Sequence, residues 1–196
     1  MTLPIPESTK MFAEAGEAGA VIAAQRAANT GRIAELAGRL RRKPPAAVLT
    51  CARGSSDHAA TFAKYLIETR LGVLTSSQAP SIASVYGAAL RANDALCLAI
   101  SQSGKSPDLL ATVEAAKRAG AYSAALVNVE DSPLAQLADS VVPLSAGPEL
   151  SVAATKSYIA AIAAIIDLVA AWAGDEALDE ALSAAPAQLQ QAWAAD

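Results

Sequence analysis

Between residues 45 and 144 the chain alternates short, nearly continuous apolar runs with longer stretches whose apolar residues recur every three or four positions. The runs are AAVLTCA (46–52), GVLTSS (72–77), ALCLAIS (95–101), AYSAALVN (121–128) and SVVPL (140–144). Runs of this length with little polar alternation mark strands covered on both faces. Helical spacing fills the stretches near 56–70, 81–90, 106–119 and 132–138, and then a long one from about 151 to 173. Strand followed by helix, repeated, predicts a three-layer α/β fold with a doubly wound, five-stranded parallel sheet of flavodoxin-like architecture. In such sheets ligands sit beyond the carboxyl ends of the strands, at the point where the strand order reverses. The loops at those ends are therefore where chemistry is expected.

A helical extension is predicted at each end. Residues 9–42 are Ala-rich with helical periodicity and finish in Arg39, Arg41, Arg42 and Lys43 before Pro44-Pro45. Cations in a last turn complement the helix dipole, and the prolines stop the helix. From about residue 175 a final helix presents Leu178, Leu182, Leu189 and Trp193, with Pro186 expected to kink or restart it. The expected division is a helical segment over 1–44, the α/β domain over 45–174 and a C-terminal helix over 175–196. The apolar stripe of that helix has little chain left to pack against, so a partner is expected, either another subunit or a further domain.

Composition narrows the class. Of 196 residues, 53% are hydrophobic, 17% charged and 4% aromatic, and about a quarter are Ala. That apolar share excludes a disordered chain, and many Ala with few aromatics favour close-packed helices over a β-sandwich. The net charge of −4 provides no global basic field, so no nucleic-acid partner is expected. The first ten residues lack the basic and apolar regions of a secretory signal. Residues 158–173 fall short of the roughly 20 needed to cross a bilayer, and Asp167 interrupts them. A buried core helix, no membrane partner and a cytoplasmic location are expected. Cys51 and Cys97 both lie in apolar runs and read as buried small hydrophobes, with no metal-site spacing.

Three strand-end loops concentrate small hydroxyl residues. They are Arg53-Gly54-Ser55-Ser56-Asp57-His58, then Ser101-Gln102-Ser103-Gly104-Lys105-Ser106-Pro107-Asp108, then residues 146–156, AGPELSVAATK. Each leads into a helix N-terminus, where free backbone N–H groups and the dipole attract an anion. A helix cap needs one hydroxyl, whereas the second loop supplies Ser101, Ser103 and Ser106 together with the Gln102 amide. That surplus points to phosphate binding. Neither G-x-x-x-x-G-K-[ST] nor G-x-G-x-x-G occurs, so no nucleotide cofactor is expected.

With these motifs the chain resembles the SIS (sugar isomerase) domain family. It is similar in particular to the first such domain in the isomerase half of glucosamine-6-phosphate synthase, and to that of two-domain glucosamine-6-phosphate deaminase or isomerase relatives. The resemblance spans about residues 10–195 and is carried by ARGSSDHAA (52–60), AISQSGKSPDLL (99–110) and AGPELSVAATKSY (146–158). It implies that Gly54, Ser55 and Ser56 touch the sugar, and that Ser101, Gln102, Ser103 and Ser106 grip its phosphate, Ser106 replacing a Thr. It implies further that Val152, Ala153, Thr155 and Lys156 line the sugar, with Ala154 replacing a Ser. The family's proton-shuttling Glu and ring-opening His belong to a second SIS domain, and a further Lys to the tail after it. None has a counterpart here. No Cys follows Met1, so no glutamine-hydrolysing domain is expected ahead of this one.

The function implied is the phosphosugar-binding half of a sugar-phosphate isomerase or deaminase of the glucosamine 6-phosphate/fructose 6-phosphate type. Its ligand is a small-molecule sugar phosphate, no cofactor is expected, and a homodimer or a second SIS domain completes it. Two alternatives stay open: a module that senses a phosphosugar without turnover, and a single-domain isomerase whose active site forms between subunits. Aldose–ketose interconversion needs a base between C1 and C2 and an acid to open the ring. Within this chain only His58, its single His, and Glu149 offer themselves. Lys156 is expected to pair with Glu149 or the phosphate. Asp57 and Asp108, first-turn helix charges, are expected to face away from the phosphate.

Overall fold

A computed structural model describes residues 5–195, and the five expected strands form one parallel sheet within it. They are β1 (Ala47–Ala52), β2 (Thr75–Ser77), β3 (Ala95–Ser101), β4 (Tyr122–Val127) and β5 (Ser140–Pro143), in the order β2-β1-β3-β4-β5. This is the flavodoxin-like order, with the reversal between β1 and β3. Their register runs from Ala47 opposite Ala95 to Ala52 opposite Ile100, so the two strands end side by side. Every residue of β3 is buried, as expected of a central parallel strand.

Alternation along β3 sorts the helices into two layers. Leu96, Leu98 and Ile100 pack in the larger core cluster with α2 (Ala18–Arg42), α3 (Ser55–Leu71) and α7 (Lys156–Ala173). Ala95, Cys97 and Ala99 point the other way, into a cluster with Leu109, Val113 and Ala116 of α5 (Pro107–Arg118) and Leu134 of α6 (Pro133–Leu137). The short α4 (Pro80–Ser84) packs against α5. Residues 158–173 are a core helix as read: α7 buries Ala160, Ala164, Ile165, Leu168 and Trp172 against α2 and α3.

Four expectations are corrected. The stretch 9–42 is two helices, α1 (Lys10–Gly16) and α2, separated at Glu17. The helix expected over 81–90 stops at Ser84, and the chain turns at Gly87, whose φ of +56° lies in the left-handed region. Residues 151–155 are loop rather than the start of α7, held off helix by carboxylates described below. The last helix, α8 (Glu176–Ala194), runs through Pro186 without a restart.

The apolar stripe of α8 is partly covered within the chain, Leu182 fully and Trp193 only in part. Leu182 is 3% exposed and packs with Ile22 and Ala163, joined by Leu189, while Leu178 joins the main cluster. The Trp193 ring lies 4.5 Å from that of Phe12 on α1. Residues 1–4 and 196, the outermost parts of the two extensions, lie outside the described residues.

Candidate functional site

The three hydroxyl-rich loops meet at the carboxyl ends of β1 and β3, around a cavity of about 360 Å³. Its lining is Arg53, Gly54, Ser55 and Ser56 from the first loop, Ser101, Gln102, Ser103 and Ser106 from the second, and Glu149, Leu150, Ser151, Val152 and Ala154 from the third. Of the residues anticipated as ligand contacts, Gly54, Ser55, Ser56, Ser101, Gln102, Ser103, Ser106 and Val152 are brought together, and Ala153, Thr155 and Lys156 are not part of the lining.

The first two loops open onto helix N-termini. Gly54, two residues past the end of β1, is the N-cap of α3 with φ +59°, a conformation that bends the chain sharply from strand to helix and that a side chain would strain. No side chain caps that end, so its first N–H groups have no partner of that kind. In the second loop Ser101 Oγ accepts from Gly104 N–H at 2.9 Å, and Ser103 Oγ accepts from Lys105 N–H at 3.4 Å. Ser106 is the N-cap of α5, yet its hydroxyl makes no capping bond. The plain reading of Ser106 as a helix cap is therefore set aside. Gly104, at φ +64°, allows the loop to run beside Ser132: a Cβ there would collide with Ser132 Oγ.

Carboxylates hold the third loop. Glu149 Oε1 accepts from Thr155 N–H at 2.8 Å and Ser157 N–H at 3.3 Å, and its other oxygen accepts from Ser157 Oγ–H. It acts as the cap that Thr155 does not supply to α7. Glu14 of α1, 7% exposed, accepts from Leu150 N–H at 2.6 Å, Ser151 N–H at 3.1 Å and Ser151 Oγ–H. The Leu150 amide, with Ser151 behind it, holds the Glu14 carboxyl below its ordinary value. Asn128, just past β4, fixes the start of the loop through Gly147 O and Ala146 N–H, each at 2.8 Å.

Lys156 departs from its expected pairing. It is 4% exposed and its Nζ donates to Glu17 Oε2 at 2.5 Å, not to Glu149. Asp108 pairs with Arg53 and accepts from its own neighbour's N–H, Leu109, at 2.9 Å. Asp57, expected to face away, is exposed and outside the lining. His58, also exposed, stands outside it too. Within the lining, Arg53 is the one cation and Glu149 the one carboxylate. Burial pushes the thiols of Cys51 and Cys97 up to about 11 and about 12, so both are unreactive at neutral pH. No group of three or more His, Cys, Asp or Glu side chains is placed to hold a metal among the described residues.

The signal for Arg53 was its position next to Gly54, directly after β1. Glu14, Glu17 and Asn128 were missed, because their roles depend on contacts between residues far apart in sequence.

Comparison with known proteins bears on the family and the fold. The family model of the SIS domain matches residues 43–171. A glutamine–fructose-6-phosphate aminotransferase (isomerizing) of Thermus thermophilus is 39% identical over 129 residues, covering 65% of this chain and 20% of that protein. The chain thus spans about a fifth of the length of such relatives. A solved structure from Silicibacter pomeroyi DSS-3, provisionally assigned as a phosphosugar isomerase, is 44% identical with a TM-score of 0.91, over 94% of this chain and 56% of that one. The C-terminal domain of glucosamine-fructose-6-phosphate aminotransferase from Francisella tularensis shares the fold at 22% identity and a TM-score of 0.75, over 97% of this chain and 56% of that one.

Proposed function

The chain belongs to the SIS domain family, and from that premise we propose that it is the phosphosugar-binding half of a sugar-phosphate isomerase or deaminase. One observation carries the reading: three loops rich in hydroxyls converge on a single cavity at the switch point, with Ser106 unused as a cap. The hydroxyls of Ser101, Ser103 and Ser106, the Gln102 amide and the start of α5 suit a phosphate dianion. Arg53, held by Asp108, adds positive charge at the rim. Gly54, Ser55 and Ser56 face the same cavity from the start of α3 and the turn before it, and Val152 and Ala154 line its other side. A six-carbon sugar phosphate of the glucosamine 6-phosphate or fructose 6-phosphate type fits this division into an anionic end and a hydroxyl-bearing end.

The residues favour binding and orientation over proton transfer. Glu149 already accepts three hydrogen bonds that shape the third loop, and His58 is outside the lining. The acid and base of aldose–ketose chemistry are accordingly assigned to a second SIS domain or a second subunit. Residues 45–174 form the binding unit in this reading, flanked by the helical segments 1–44 and 175–196, and the protein works in the cytoplasm.

Calorimetric titration with fructose 6-phosphate tests the proposal. Ser101→Ala or Ser103→Ala weakens binding by about 1–3 kcal/mol, the range for hydrogen bonds to a charged group. Affinity unchanged by both substitutions contradicts the phosphate-loop assignment. Glucosamine without its phosphate binds far more weakly than glucosamine 6-phosphate.

A further inference from the structure

Glu14 lies outside the cavity, yet its carboxylate organises one wall of it. A buried carboxylate is costly unless hydrogen bonds satisfy it, and here all three donors come from two consecutive residues, Leu150 and Ser151. Those residues, with Val152, line the cavity in a segment without regular secondary structure. The Leu150 and Val152 side chains are 68% and 96% exposed, so packing does little to fix this end of the loop. Hydrogen bonds to Glu14 do it instead. One helical turn on, Glu17 takes the Lys156 ammonium and ties the far end of the same loop to the same helical segment. The serine loop is independent of this arrangement. It is closed by Ser101, Ser103 and a bond from Leu134 N–H to Gly104 O at 3.1 Å.

We propose that Glu14 is a positioning residue for the sugar end of the ligand, holding residues 150–152 against the cavity without touching the ligand itself. The inference rests on the phosphosugar reading above and deepens it. Its distinguishing consequence is a separation of the two ends of the ligand. Loss of Glu14 loosens the wall beside the sugar and leaves the phosphate grip intact. A residue that only stabilises the fold would weaken both alike.

The experiment compares wild type, Glu14→Ala and Glu14→Gln by calorimetry with fructose 6-phosphate and with inorganic phosphate, and by hydrogen exchange at Leu150 and Ser151. Gln keeps the size and one acceptor oxygen, but its amide nitrogen only donates and accepts from neither of the Ser151 groups that meet the second Glu14 oxygen. It supplies the test should the Ala variant fail to fold. Fructose 6-phosphate affinity should fall about tenfold in Glu14→Ala and less in Glu14→Gln, while phosphate affinity stays within about twofold. Exchange at Leu150 and Ser151 should quicken in both variants. Equal losses for the two ligands, undiminished fructose 6-phosphate affinity, or unaltered exchange at those two amides overturns the proposal. A wild-type chain that binds neither ligand overturns the phosphosugar reading, and exchange at Leu150 and Ser151 then still decides whether Glu14 holds the loop.

Discussion

At the scale of single residues, the site depends on backbone shapes and carboxylate placements that differ in how visible they are in a sequence. Gly104 combines a positive φ with contact against Ser132 Oγ, so Gly104→Ala is strained twice over. It should lower stability by more than about 1 kcal/mol, measured by urea unfolding, and also weaken phosphosugar binding. The pH behaviour of two other carboxylates separates by sign. Burial pushes Asp139 up, but the Lys117 ammonium and the Ser123 N–H and hydroxyl outweigh it, so its net value is lowered. A lowered carboxylate stabilises the fold above its unfolded value, here 3.8, and loses that contribution as pH falls through the folded value. Asp139→Asn should therefore be less stable than wild type at pH 7, with the gap closing toward pH 3. Asp167 is the reverse case. Burial, with Asp179 adding and Arg26 opposing, raises it, so its contribution is present below 3.8 and is lost as pH rises through the folded value. Asp167→Asn should match or exceed wild-type stability at pH 7, an advantage that disappears in acid.

Among the elements, the strands were legible because parallel strands covered on both faces must be written as apolar runs. The loops around the cavity could be read too, since each follows such a run, but not every lining residue in them: Leu150 and Ser151 carried no local signal. What could not be read was how the helical extensions join the site. Glu14 reaches Leu150 across 136 positions of chain, and no local pattern encodes a contact of that length. The same holds for α8, whose stripe packs in part on α2 and α7, with Trp193 against Phe12 of α1 but still 36% exposed. Its crossing with α2 is tight at one point: a Cβ on Gly19 would lie 2.8 Å from the Pro186 carbonyl. Gly19→Ala should displace α8 and cost about 1–3 kcal/mol by overpacking. Gly31→Ala, on the same helix with nothing within 4 Å, should instead gain up to about 1 kcal/mol. Thermal melting of the two variants side by side checks both signs. A loss in both would mean that α2 tolerates no added methyl, and the crossing argument would fall.

For the whole molecule, strand order decides where a ligand can bind. The order β2-β1-β3-β4-β5 places the first and second loops at neighbouring strand ends, and the third closes over them under the control of the N-terminal helices. At the opposite end of the sheet lies a cleft of about 310 Å³ lined by Arg39, Lys43, Asp94, Tyr122 and Asp139. Its charges are already engaged: Lys43 pairs with Asp94 at 2.7 Å, Lys117 with Asp139 at 2.7 Å, and Arg39 lies over the Tyr122 ring at 3.7 Å. Cations are ion-paired at both ends, Arg53 with Asp108 at the first, so what separates the two is the set of serine hydroxyls that faces the first cavity. Titrating isotope-labelled protein with fructose 6-phosphate and following the backbone amide signals by NMR reads both ends at once. The account predicts saturable shifts confined to 54–56, 101–106 and 149–154, with the amides around Arg39 and Lys43 unmoved. Shifts at the opposite cleft, or none at any of the three loops, would contradict it.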